Sequence, residues 1–319
     1  MKTPILLIGC LLLLVPIKSY ATGGTDGTIT WQLEDSTLTI GGTGEMPNYI
    51  GLNMRSGAPW AYLASSIKNV VIGDSVNNIG EGTFWMDFDN LVTVNMGNGI
   101  INIGKIAFAR CLNLTSIVLS TNLTSIGQRA FIDCSSLTSL LFPASLIAIE
   151  EGAFNSCSSL TSITIPESVT RIGKNAFANC TNLQQVEISW ESPDKVQTDF
   201  YAFSGIDLAN ATLSVPQGTK AFYEHRSVWK NFGQIVERTT AIRPVDAPMV
   251  SIAVENGNLQ IVSPEAENIQ VYSISGQLLF QSNKTTGKAT FSTQAVQDKV
   301  LIVKGSSGWV KKVIQTYGN

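Results

Sequence analysis

The chain repeats itself every 23 residues. Leu91, Leu114, Leu137, Leu160 and Leu183 keep that step, and so do Phe108, Phe131, Phe154 and Phe177, and Cys111, Cys134, Cys157 and Cys180. A divergent first copy starts at Ile67, runs one residue longer and carries Phe84 in the phenylalanine position. A fixed period of this size means a solenoid, and it decides the fold before any local propensity is weighed.

One copy shows how a coil is built. Leu160, Ile163 and Ile165 follow the L-x-x-L-x-L plan of a short strand with alternate residues turned inward. Pro166 and Glu167 turn the chain, and Val169 and Ile172 return it to the core. The sequence KNAFANC then reads as a tight helical or 3₁₀ turn that sends Ala176, Phe177 and Cys180 inward. Gly173 marks a further turn, yet Glu150 fills the same slot one copy earlier, so positive φ is not compulsory there. A single coil leaves both its faces open. Stacking covers them and pairs each strand with two neighbours, so every copy is core and sheet partner to the next. The first and last coils must therefore differ from the middle ones.

The pattern L-x-x-I-x-I-P-x-S-V-x-x-I-G-x-x-A-F-x-x-C resembles the BspA-like (treponemal-type) leucine-rich repeats of bacterial surface proteins. The stretch Trp31-Gln32-Leu33, then residues 36–46 and Pro59-Trp60, is similar to the segment that caps such repeats at the N-terminal side. Residues 212–219 and Trp229-Lys230-Asn231-Phe232 resemble the closing motif. The resemblance covers about residues 28–237. It implies an exported leucine-rich repeat protein engaged in adhesion or host-protein binding, with no catalysis.

The expected organisation is a signal peptide at 1–21, an N-terminal cap at 22–66, repeats at 67–182, and a last repeat with C-terminal cap at 183–237. A linker at 238–249 then leads into a small antiparallel β-sandwich at 250–319. Lys2, the apolar run from Ile5 to Ile17 and Ser19-Tyr20-Ala21 form a secretory signal too short to anchor in a bilayer. A rival reading makes Cys10 a lipidated residue, but most of the apolar run follows it instead of preceding it. The linker holds two prolines and no periodicity, and seven short alternating runs follow, from VSIAV to WVKKVIQ. The stretch VYSISGQLLFQS with the late KVLIVKG resembles the sorting domains of type IX secretion substrates, which implies sorting or anchoring; a purely structural sandwich is the rival.

Removal of residues 1–21 takes away Lys2 and Lys18 and moves the formal charge from −3 to −5. A mildly acidic chain without a basic run is a poor partner for nucleic acid or anionic lipid. The expected partner is a protein or glycan at the cell surface, with no cofactor, no metal and no integral membrane segment after signal removal. The uniform step of the four cysteines stacks them in parallel, which suits packed thiols better than disulfides, and a ladder does not converge on a metal. His225 is the only histidine, and no G-x-S-x-G, H-E-x-x-H, P-loop or EF-hand pattern occurs. Asp87 and Asp89 could touch a cation but read as a solvated loop. The chain is not expected to be an enzyme; the alternative to a binding protein is a structural spacer or surface scaffold with no specific ligand, and a more distant one a glycan-binding or glycan-active protein. The expected ligand site is the column of outward strand residues Val71, Asn95, Val118, Leu141, Thr164 and Glu187, where Val118 and Leu141 form an apolar pair among polar neighbours.

Overall fold

The computed structural model describes residues 22–51, 55–238 and the strands between 251 and 314. The expected signal peptide, Cys10 and most of the expected linker lie outside the described residues. Residues 67–199 form a parallel-strand solenoid in which each coil contributes two short strands, preceded by an antiparallel three-stranded unit at 22–42.

The second strands of the coils, from Asn78–Ile79 through Arg171–Ile172 to Gln197–Thr198, make one continuous six-stranded parallel sheet. The first strands divide into two sheets. Asn69–Ile72, Thr93–Asn95 and Ser116–Val118 join three N-terminal strands, Thr22–Asp26, Ile29–Glu34 and Thr37–Gly42. Leu140–Leu141, Ser162–Ile165 and Gln185–Ile188 join Thr212–Pro216 and Gln234–Arg238. The ladder breaks at the copy in which Phe142 replaces the aliphatic residue of the last inward position. Its ring leans on Phe154 of its own coil and Phe177 of the next at centroid distances of 5.6 and 6.4 Å.

A third ladder runs along the turn that carries the phenylalanines. In one coil Ile106, Phe108 and Arg110 donate their N–H groups to the carbonyls of Gln128, Ala130 and Ile132 at 2.8–3.0 Å. The next coil repeats this from Arg129, Phe131 and Asp133, and the next from Gly152, Phe154 and Ser156. The tight turn expected here is formed as successive i→i+3 turns, Ala107, Ala109 and Cys111 donating to the carbonyls of Gly104, Ile106 and Phe108 at 3.2–3.3 Å, and not as a continuous helix. Two left-handed residues bracket the turn in every coil but the last, for example Ile106 (φ 49°) and Arg110 (φ 65°), or Asn175 (φ 56°) and Asn179 (φ 58°). A helix would direct these N–H groups back into its own turn; the left-handed residues rotate alternate ones onto the next coil. Each non-glycine residue so placed costs about 1 kcal/mol or more, offset by the forward bond and by burial of the ring between them. Gly173 does not adopt positive φ; a Cβ there would stand 2.6 Å from the amide nitrogen of Glu151, so glycine at this copy answers to close approach of the coils, whereas Glu150 and Asp199 occupy the same slot in neighbouring coils.

The core is a column of stacked rings. Phe84, Phe108, Phe131, Phe154, Phe177 and Phe203 lie 5.0–5.5 Å apart with planes within 2–12° of parallel. Beside it each cysteine thiol donates to the carbonyl of the phenylalanine one coil back: Cys111 to Phe84 at 3.3 Å, and Cys134, Cys157 and Cys180 to Phe108, Phe131 and Phe154 at 3.2 Å. All four cysteines are free and buried, as the uniform step led one to expect.

At 251–314 the seven short runs appear as five strands. Ser251–Glu255, Asn258–Ser273, Leu278–Ser292, Val300–Gly305 and Val310–Ile314 form an antiparallel sheet, in keeping with the small antiparallel unit expected there. Four of the runs merge because two pairs of them are continuous through irregular stretches. Asn258–Ser273 and Leu278–Ser292 pair along their length with register shifts between Ser263 and Ile269, where Pro264 falls. A proline is tolerated in a strand at such a bulge. Leu259, Ile261, Ile269, Val271 and Val303 are its buried residues among those described.

Candidate functional site

Strand alternation turns Val70, Ile72, Ile117, Ile163 and Ile165 inward, all of them buried, and leaves the intervening residues on the outer face of the split sheet. Register then stacks them. Val71 pairs with Asn95 and Asn95 with Val118; beyond the break, Leu141 pairs with Thr164 and Thr164 with Glu187. The column runs further than the repeat pattern indicated, from Thr39 beside Val71 to Ser214 and Val236 beyond Glu187. Those three lie in the caps, where the 23-residue word is lost and periodicity gives no signal.

The six residues are not equivalent. Leu141 is 49 % exposed and Thr164 is open, whereas Asn95 is only 1 % exposed. Asn95 lies in register between half-buried Val71 and Val118, and its amide nitrogen and oxygen have no hydrogen-bond partner. Beside it Thr93 donates to the amide oxygen of Asn69 at 2.7 Å, both residues being buried. The expected outward polar residue is thus not open to water at this point. Glu187 is engaged as well: Arg238 pairs with its carboxylate through one guanidinium nitrogen and donates to the carbonyl of Ile188 at 2.6 Å through the other. Arg238 is 51 positions away in the chain, which no spacing rule reveals. Val118 and Leu141 flank the break between the two sheets, so the expected apolar pair lies on first strands that do not pair with each other, although the second strands of the same two coils do.

The remaining candidates stay apart. Asp87 pairs with Arg55 at 3.7 Å on the surface, and the carbonyl of Asp89 accepts from Asn113 at 2.7 Å. His225 is exposed in the turn after the one-turn helix Lys220–Tyr223. Burial pushes the Cys180 thiol up to about 12, and the other three thiols rise in the same direction for the same reason. Buried thiols held protonated are packing groups, not nucleophiles. Among the described residues no three His, Cys, Asp or Glu side chains converge on a point, and no helix is long and apolar enough to cross a membrane. A groove of about 460 Å³ runs along the coil edge, lined by Arg110, Asp133, Ser135, Ser156, Ser158 and Asn179 among others.

The model of the BspA type leucine rich repeat region matches residues 58–184 and 101–228, together more than half of the chain. The chain belongs to the BspA-type leucine-rich repeat family. Among solved structures, the Treponema pallidum leucine-rich repeat protein is 21 % identical over 66 % of this chain and 93 % of its own, with a TM-score of 0.38. A leucine-rich cell surface protein of Faecalibacterium prausnitzii A2-165 is 20 % identical over 76 % of this chain and 59 % of its own, with a TM-score of 0.34. The pneumococcal vaccine antigen PcpA is 15 % identical over 62 % of this chain and 56 % of its own, with a TM-score of 0.42. No curated protein matches the chain.

Proposed function

We propose that this BspA-type repeat protein is an exported, non-catalytic binding protein that holds a macromolecular ligand against the outer face of its split sheet. Export rests on the signal-like residues 1–21, and surface attachment is assigned to residues 250–319. The observation that carries the reading is the apolar surface at the sheet break. Leu141 is half exposed, Val118 stands on the preceding coil, and Thr164 continues the column. Contiguous apolar surface on a regular sheet is what a partner's side chain covers. The site centres on Val118, Leu141 and Thr164, with Val71 at its margin; Asn95 is buried and Glu187 is held by Arg238.

The test is the pair of substitutions Val118→Lys and Leu141→Lys in the mature chain. Neither residue belongs to the buried core, so the urea midpoint should hold, while attachment to the host or matrix protein found by panel screening should drop at least tenfold. Unchanged attachment by a folded variant removes the sheet break as the site.

A further inference from the structure

The last repeat coil departs from all others at the two positions that follow the glycine slot. Earlier coils place Glu81-Gly82, Lys105-Ile106, Gln128-Arg129, Glu151-Gly152 and Lys174-Asn175 there; the last places Phe200-Tyr201. These two aromatics are 64 % and 51 % exposed, and the ring column takes Phe203 instead. Their rings meet edge to face, with centroids 5.2 Å apart and planes at 90°, so they form an open corner of two aromatic walls. The corner is fixed from below: the Asp199 carboxylate accepts the Tyr201 N–H at 2.9 Å.

Charge defines what the corner can take. The Lys174 ammonium lies 5.6 Å from the centre of the Tyr201 ring. Nearby cations are neutralised, Arg171 by Glu150 at 3.4 Å and Arg129 by Glu151 at 3.8 Å, but Lys174 has no ion pair among the described residues. The rim is polar, with Gln197 exposed and Asn175 and Ser204 half buried. An aromatic anchor for a protein partner would be ringed by further apolar contacts that exclude water. Aromatic walls with a hydrogen-bonding rim and one cation that lacks a carboxylate partner fit a ring that is apolar on one face, hydroxylated at its edge and negatively charged.

We infer that Phe200, Tyr201 and Lys174 form a binding site for a carboxylated sugar, a uronic or sialic acid residue of a larger glycan. The sugar's C–H face packs on the aromatic corner and its carboxylate reaches the Lys174 ammonium. This site lies at the end of the continuous second sheet and is independent of the proposed site at the break in the first.

The test is titration calorimetry of the mature full-length chain with sialyllactose, a glucuronate-terminated disaccharide and lactose. At least one acidic sugar should bind at least tenfold more tightly than lactose, and the one that does names the source. Added salt should weaken that binding, since an ion pair at the surface is screened. Phe200→Ser with Tyr201→Ser should cost at least tenfold in affinity while leaving the urea midpoint unchanged. Lys174→Gln should remove the preference for acid over lactose. Val118→Lys with Leu141→Lys should leave acidic-sugar binding intact, which separates this site from the sheet face. The inference is overturned if neither acid binds, if lactose binds equally, or if the double serine variant binds as well as the parent. It is also overturned if Tyr201 resists nitration in the unliganded chain while exposed Tyr62 reacts, because the chain itself would then cover the corner.

Discussion

At the N-terminal end of the stack Trp60 covers Phe84 at 6.0 Å, braced by Tyr49 at 5.5 Å; at the other end Trp229 and Phe232 meet Phe203 at 5.7 and 6.0 Å. The apolar problem is solved alike at both ends, but the polar one is not. Because the N–H groups of the third ladder all point forward, the first coil presents bare carbonyls and the last presents bare donors. The N-terminal cap brings donors: the Tyr49 N–H to the carbonyl of Glu81 at 2.7 Å, and the Ser56 hydroxyl to that of Thr83 at 2.9 Å. The C-terminal end brings an acceptor, the Asp199 carboxylate, to the Tyr201 N–H. The caps are therefore not two versions of one lid. Each is matched to the sign of the backbone it closes.

The largest expected effect contrasts the middle of the stack with both ends. Four buried thiols sit in the middle, and one buried tyrosine, Tyr49 or Tyr223, sits at each end with its hydroxyl pushed up by burial. A thiol whose folded value is raised keeps its proton in the native state, while the unfolded chain releases it above its ordinary value of 9.0. Stability is therefore full below pH 9 and falls as pH rises, by about 1.4 kcal/mol per pH unit per thiol, on the order of 5 kcal/mol per unit for four. For Cys180 the decline levels off near its folded value of about 12. The tyrosines join only above 10.0, so hydrogen exchange at pH 9.5–10 should open coils 111–180 before either cap. A urea midpoint that stays flat from pH 8 to pH 10 would refute the buried-thiol account.

Next in size are the two roofs. Trp60→Ala and Trp229→Ala should each cost about 3–5 kcal/mol by opening a cavity against the ring column. Denaturant unfolding followed by circular dichroism measures both, and a loss under about 1 kcal/mol at either end would show that the residue there is no roof. The polar closures should be smaller and unequal. Ser56→Ala strands the carbonyl of Thr83, a buried residue, at about 1–3 kcal/mol. Asp199→Ala frees an N–H that water can reach and should cost about 1 kcal/mol or less. Equal losses would mean that the ends share their polar chemistry after all.

The repeat positions were legible because one period carries both the inward residues and their register. Leu160, Phe177 and Cys180 stand where the 23-residue step puts them. The left-handed turns were not, because Ile106, Arg129 and Asn175 share no residue type and glycine marks only Gly82, Gly152 and Gly205. The sheet break leaves one trace in the sequence, Phe142, whose effect depends on which way its ring leans. In the outward column the repeat pattern gave direction but not availability: Asn95 is buried without a hydrogen-bond partner, and Glu187 is paired by Arg238, which spacing does not specify.

The forward alignment of the third ladder also gives the solenoid a grammar of editing. Any whole 23-residue unit presents carbonyls behind and donors ahead, so a unit can be removed or duplicated between Cys111 and Cys180 with both junctions still complementary. Each such change alters the length by one ring spacing, 5.0–5.5 Å, and leaves both caps untouched. Inverting a unit would set donor against donor. Selection can therefore adjust the reach of this molecule in whole steps, like beads that thread from one side only.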